Sequence, residues 1–357
     1  LGLAFAHPAS AQTPINCGEI VTGSISVAGE KDEFTFPAQA NDRVTIRLAE
    51  TSGDLYVELY DPQGRKVGGA NSRNFDTTLT LAGTYTILVR GYFSSDTGTY
   101  ALSWLRLNNS CAPVLECAQA VTGSIGSTAS AAAFGFYSFS ASANDKVTVH
   151  FSEISGDLYL ELYGPDGKQI QAVNSGSIDA ALTLTGTYTI IVRGYYGSDT
   201  GTYSLAWQRL NNPVGATALT CGQVYPAAFN TKGEIDFYTF TAQADDAVII
   251  RAQGIGNASI SVAFYSPEGV NLGGSLEKKL TSAGTYTIVV TASSNSGSGS
   301  YFVTWSRLNN SCASVLECAQ VVTGTIGNTA QAPPWQFYSF PAQANDRVTI
   351  RLAETSG

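Results

Sequence analysis

The 357-residue sequence has no methionine, two histidines and only 13% charged residues. Each scarcity excludes something. A Ser-His-Asp or Cys-His relay needs a positioned base. Here the histidines are His7, near the start, and His150, alone in "KVTVHF" at an outward strand position where the first repeat has Arg47. No second catalytic motif accompanies either, and no acidic pair recurs in every repeat, so the chain reads as non-enzymatic with no cofactor. The formal net charge of −9 disfavours duplex nucleic acid and anionic membranes as partners. No apolar run reaches the roughly 18 residues of a membrane helix, so the chain is not expected to span a membrane. With no methionine even at position 1, the sequence is expected to be part of a longer reading frame.

Apolar residues still make up 44% of the chain. It is globular, with a surface of Thr, Ser, Asn, Gly and Tyr in place of charge. The opening "LGLAFAHPASAQ" (1–12) reads as the end of a secretory signal, with Ala9-Ser10-Ala11 as a small-x-small cleavage site. That implies a secreted, extracellular or cell-surface location, where cysteines pair.

Repetition is the strongest signal. "GTYTI" begins at Gly83, Gly186 and Gly284, and "WLRLNN", "WQRLNN" and "WSRLNN" begin at Trp104, Trp207 and Trp305. The period of roughly 100 residues is that of an autonomous domain, too long for a solenoid. The expected organisation is 13–107, 108–210 and 211–308 as three complete units, with 309–357 as the first half of a fourth. Residues 341–357 repeat 37–53 letter for letter. The half-unit is expected to be a truncation or to be completed by strands of a neighbouring chain.

Within each unit the residues alternate with period 2. "RVTIRL" sets Val44, Ile46 and Leu48 on one face, "DLYVELY" sets Leu55, Val57 and Leu59, and "TYALSWLRL" sets Tyr100, Leu102 and Trp104. Turn signals such as Asp61-Pro62-Gln63-Gly64 and Asp96-Thr97-Gly98 separate the runs. No stretch holds a 3.6 period. The expected fold is all-β: tandem two-sheet antiparallel β-sandwiches, jelly-roll-like, with about eight strands per repeat. The run from "GEKDEFTFPAQANDRVTIRL" through "SGDLYVELYDPQG" to "LAGTYTILVRGYFSSDTGTYALS" resembles the bacterial pre-peptidase C-terminal (PPC) domain, and the resemblance covers nearly all of the chain from Cys17. It implies a sandwich attached to secreted enzymes or strung in tandem on surface proteins. It does not fix a function.

Some relatives in that family bind calcium through acidic groups at strand ends. The matching candidates are Asp32, Asp54, Asp61 and Asp157. Asp32 aligns with Gly135, Asp236 and Gln336, Asp54 with Asp157 and Ser259, and Asp61 with Gly164 and Ser266. Calcium wants six to eight oxygens with several carboxylates, and turn hydrogen bonding is the plainer reading of Asp54. Asn108, Asn257 and Asn309 fit the N-glycan acceptor pattern, against a plain reading as turn chemistry. Outward Tyr56, Tyr60, Tyr159 and Tyr163, and the pairs Tyr92-Phe93 and Tyr195-Tyr196, form either sugar platforms or contact surfaces; contact is preferred.

The phrase "RLNNSCAPVLEC" sets Cys111 and Cys117 with five residues between them, and Cys312 and Cys318 repeat the spacing. Local disulfides Cys111–Cys117 and Cys312–Cys318 are expected, stiffening the joints. In the middle copy Val214 replaces the first cysteine, so Cys17 and Cys221 are expected to be left over for intermolecular bonds. The expectation is a structural subunit of an extracellular rod or filament of rigidly joined sandwiches, with copies of itself as partner. The alternatives are an adhesion or carbohydrate-binding array, or accessory domains of a secreted hydrolase.

Overall fold

A computed structural model describes residues 12–355, apart from 72–73, 127–132, 197–198, 232, 275–276, 293–298, 328 and 330–331. Residues 1–11 of the expected signal remnant, His7 among them, lie outside the described residues.

The first unit runs β1 (Thr13–Pro14), β2 (Ile20–Ile25), β3 (Lys31–Ala38), β4 (Arg43–Gly53), β5 (Leu55–Tyr60), β6 (Lys66–Asn71), β7 (Phe75–Thr78), β8 (Gly83–Gly91) and β9 (Gly98–Arg106). Its sheets have strand orders β1-β3-β8-β5-β6, here the head sheet, and β2-β9-β4-β7, the tail sheet. The second unit repeats this with β10 (Ala120–Ile125), β11 (Phe134–Ala141), β12 (Lys146–Gly156), β13 (Leu158–Tyr163), β14 (Gln169–Val173), β15 (Gly176–Ala181), β16 (Gly186–Gly194) and β17 (Gly201–Arg209). The third comprises β18 (Thr217–Ala218), β19 (Val224–Phe229), β20 (Ile235–Ala242), β21 (Ala247–Gly254), β22 (Ile260–Tyr265), β23 (Asn271–Gly273), β24 (Glu277–Lys279), β25 (Gly284–Ala292) and β26 (Gly299–Arg307). The head sheets of these two units are β11-β16-β13-β14 and β18-β20-β25-β22-β23, and the tail sheets β10-β17-β12-β15 and β19-β26-β21-β24. Pairing is antiparallel except at the short first strands: β1 lies parallel to β3, and β18 to β20. After residue 309 the described strands are β27 (Ser314–Val315) and β28 (Tyr338–Ser339), again parallel.

One core is built three times. The predicted inward residues Val44, Ile46, Leu48, Leu55, Val57, Leu59, Tyr100, Leu102 and Trp104 are all buried in it. Removing a side chain of this size from water contributes about 1.5–3 kcal/mol. In each unit the Trp ring stacks on a Phe of the facing sheet: Phe36 on Trp104 at 4.1 Å, Phe139 on Trp207 at 4.2 Å, Phe240 on Trp305 at 4.3 Å. Each indole N–H donates to the incoming chain, at Ile15 O (3.0 Å), Leu115 O (2.7 Å) and Leu219 O (3.1 Å). The repeated Trp therefore anchors the start of its own unit.

The cysteine expectation is corrected. The disulfides are Cys17–Cys111 and Cys221–Cys312, spanning 94 and 91 residues, while Cys117 and Cys318 are free thiols. The C-x5-C phrase straddles a unit boundary, which is why its two cysteines do not meet. After the second cysteine, Gly18, Ala118 and Gly222 each donate their N–H to the Trp carbonyl of their own unit (2.8, 2.9 and 2.8 Å). That bond draws each second cysteine to the end of its own last strand, where the next phrase begins. Each bridge thus closes a whole sandwich, and a loop of this length contributes roughly 4–5 kcal/mol in the chain-entropy account.

Val214 then has a different consequence. It removes the partner of Cys117, and Cys221 is bonded. Gln208 fills the gap: its Oε1 accepts from Cys117 Sγ at 2.8 Å and from Val214 N at 3.3 Å, and its Nε2 donates to Val214 O at 3.1 Å. Burial raises the Cys117 thiol pKa, against smaller opposing contacts with the backbone of Arg209 and Val214.

Candidate functional site: the faces between sandwiches

The positions expected to face solvent hold the main structural surprise. Arg47 is 1% exposed. The tail sheet of the first unit packs on the head sheet of the second, with Ala49, Ala101, Leu105, Leu107 and Ala112 against Ala133, Phe134, Phe136, Tyr163 and Ile191 in one apolar cluster. The second tail meets the third head in the same way, with Ala206 and Leu210 against Ile235, Phe237, Tyr265 and Val289. Strands of these units are therefore buried on both faces, as in a multilayer core. Six sheets form one stack.

At the first junction Arg47 Nη2 lies 2.7 Å from Glu161 Oε2 and 3.0 Å from the Tyr163 hydroxyl oxygen. Arg193 Nε donates to Glu161 Oε1 at 2.8 Å. Burial opposes both charges. For Glu161 it is outweighed by the two arginines, which hold the carboxyl near 2. For Arg47 it is outweighed chiefly by Glu161, and the guanidinium pKa rises. Burying charge is tolerated where it is paired: Arg47 Nη2 and both Glu161 oxygens are, while Arg47 Nε makes no hydrogen bond among the described residues. The Tyr163 hydroxyl also sits 3.5 Å from Asp76 of the first unit.

The second junction uses other residues at the same stations. His150 takes the place of Arg47, Ala263 that of Glu161 and Thr291 that of Arg193. His150 was expected on an open strand face. It is largely buried, with Nε2 3.1 Å from Thr291 Oγ1. Burial lowers its pKa to about 4, with Asp179 pulling the other way. Tyr265 repeats Tyr163 and reaches Asp179 at 3.2 Å. An Arg/Glu pairing and a His/Thr pairing thus distinguish the two junctions.

The remaining candidates are scattered through the fold. Asp32 accepts from the Tyr100 hydroxyl at 2.6 Å, and Asp236 does the same for Tyr301. In the second unit Gly135 stands at that station, because the Tyr203 hydroxyl would lie 2.2 Å from a Cβ there. Asp54 and Asp157 accept from Asn71 and Asn174. Asp61 accepts from Gln63 N and Arg65 N and pairs with the Arg65 guanidinium. Among the described residues no three His, Cys, Asp or Glu side chains group as a metal site. Asn108 and Asn309 each brace a loop: Oδ1 accepts from Arg43 N or Ala247 N, and Nδ2 donates to Asn41 O or Asp245 O. Asn211 does the same in the second unit without an acceptor pattern. Asn257 is exposed on a turn.

The aromatic pairs split into two environments. Tyr163 is buried in the first junction. Tyr60 donates to Glu58 at 2.7 Å, and Tyr56 lies under the Arg90 guanidinium. Tyr159, Tyr195 and Tyr196, with Arg47, Asn74, Phe134 and Arg193, line a cleft of about 480 Å³ at the first junction.

No family model and no curated protein matches this sequence. Among solved structures, a chain in the X-ray structure of the entire lipid-containing bacteriophage PM2 is similar at 12% identity and a TM-score of 0.17, over 81% of this chain and 86% of that one. The arabinofuranosyltransferase AftD from Mycobacteria is similar at 9% identity and a TM-score of 0.17, over 79% of this chain and 32% of that one. At such scores neither likeness bears on what this chain does. The all-β sandwich fold rests on its own strands, and among the described residues no helix is long and apolar enough to cross a membrane.

Proposed function

We propose that this chain is a non-enzymatic structural subunit of an extracellular or cell-surface rod, built from PPC-like sandwiches stacked sheet on sheet. The buried junction of Arg47 with Glu161, Tyr163 and Arg193 carries the reading. A flexible tether would leave those groups in water. Here both tail-to-head contacts bury apolar side chains together with a polar pair, so bending would strip buried polar groups of their partners, and at the first junction buried charge. Two domain-closing disulfides suit an oxidising location and a durable fold. Copies of the chain, meeting side by side rather than end on, are the partners such a rod would have in a filament.

Electron microscopy of the purified chain tests the proposal. Straight particles with the three sandwiches in fixed relation support it, and beads at variable angles reject it. A second reading, a carbohydrate-binding array, rests on the tyrosine-lined cleft. Glycan-array binding lost in Tyr196→Ala would favour it over a purely structural role.

A further inference from the structure

The two ends of the stack are built differently. The heads that dock carry an apolar pair on β11 and β20, Phe134 with Phe136 and Ile235 with Phe237. The equivalent positions on β3, reached through the shared Phe36, Phe139 and Phe240, are Lys31 and Glu33. Glu58, which stands where Glu161 receives Arg47, already has Lys66 at 2.7 Å. Gln169 and Asn271 occupy the Lys66 station in the later units. The first head has therefore lost its apolar pair and supplies its own cation.

The far end shows the opposite pattern. Leu107 and Leu210, just after the last strands of units one and two, are 0% and 1% exposed because the next head covers them. Leu308 holds the same place and makes the same backbone bond, to Ala247 O, yet is 53% exposed. The tail around it presents Arg251 at the Arg47 station and Glu277 at the station of Asp76 and Asp179. In the unit begun at residue 309, the two apolar stations hold Trp335 and Phe337. Its first strands already pair as β1 does with β3, with Leu316 N donating to Ser339 O as Ile15 N does to Thr35 O.

We propose that the tail face of the third sandwich is a docking surface for the sandwich begun at residue 309, seated through Trp335 and Phe337, and that Lys31 and Glu33 make the first sandwich a cap, so the stack extends from one end only. Polar end caps are what a stacked array needs to stay soluble. The proposal rests on the rod reading and adds a direction to it: end-on joining through the first head is disfavoured.

The test extends the chain after Gly357 with a copy of residues 54–107. This completes the fourth unit, since 341–357 already repeat 37–53. The added sandwich is expected to dock, slowing amide exchange at Leu308 and Thr304 at least tenfold relative to the unextended chain. Trp335→Asp/Phe337→Asp is expected to reverse that protection. A fourth sandwich that melts cooperatively but leaves Leu308 exchange unchanged would overturn the docking, while an unaltered rigid stack of the first three would leave the rod reading standing. The cap is tested separately in the unextended chain. Lys31→Phe/Glu33→Phe should join copies head to tail in sedimentation, and adding Leu308→Asp should return them to monomers. A Lys31→Phe/Glu33→Phe chain that melts like wild type yet stays monomeric, or oligomers that survive Leu308→Asp, would overturn it.

Discussion

Replacing Val214 with cysteine should give the second sandwich the bridge that its neighbours have. Position 214 and Cys117 already converge on Gln208 Oε1, at 3.3 Å from the Val214 amide and 2.8 Å from the thiol. A Cβ placed on neighbouring Gly215 would lie 3.1 Å from Cys117 O. In the bridged third unit the close approach runs from the opposite strand end, a Cβ on Gly222 lying 3.0 Å from Cys312 O. Positions 117 and 214 are about 97 residues apart, and the chain-entropy relation gives about 4.7 kcal/mol for a loop of that length, an upper figure because engineered bridges often deliver less. At roughly 4–8 °C per kcal/mol for a domain of this size, even half of it raises the second unit's melting by about 10 °C or more. Scanning calorimetry on Val214→Cys, before and after reduction, reads the shift. Peptide mapping should show Cys117 joined to position 214, with Cys17–Cys111 and Cys221–Cys312 unchanged. Recovery of Cys111–Cys117, or two alkylatable thiols at 117 and 214, would refute the domain-closing scheme.

Two predictions concern the junctions. His150 is depressed to about 4 in the fold from an ordinary 6.5. The unfolded chain binds the extra proton between these values, so the contribution is complete above pH 6.5 and lost as pH falls towards 4, to about 3 kcal/mol. Glu161 is held at about 2, so the first junction should persist until pH falls below the ordinary carboxylate range. Hydrogen exchange should therefore show the second junction loosening first on acidification, and His150→Gln should flatten that dependence; equal loosening of both junctions would contradict it. Arg47→Ala should weaken the first junction by about 3 kcal/mol, the low end for breaking a buried pair because Arg193 stays on Glu161. Limited proteolysis within 108–115 reports it, and unchanged cleavage would count against the buried pair.

Much of the fold was legible because its evidence is periodic. Val44, Ile46 and Leu48 alternate as a strand must, and the recurrence of Trp104 as Trp207 and Trp305 marks the units. The second face of each sheet was not legible. Arg47, Thr45 and His150 have the polarity of a solvated face, and only tertiary packing reveals that another sheet covers them. A usable signal did exist: Phe134 with Phe136, and Ile235 with Phe237, are apolar at stations where a one-sided strand should be polar, whereas Lys31 and Glu33 obey the simple rule. The cysteines misled because adjacency in sequence stood in for adjacency in space. Cys111 closes one sandwich and Cys117 opens the next, and counting by unit, Cys17 to Cys111 and Cys221 to Cys312, finds the observed pairs and leaves Cys117 opposite Val214.

The central claim is that consecutive sandwiches form one rigid stack. Six sheets at a spacing of about 10 Å place the outermost two roughly 50 Å apart. Spin labels at exposed Val27 and Val270, in a chain carrying Cys117→Ser and Cys318→Ser, report the first and third sandwiches together. Double electron–electron resonance should give a single narrow distance distribution that is unchanged by added salt, since the junction charges are buried; a broad distribution spanning tens of ångströms would contradict the account.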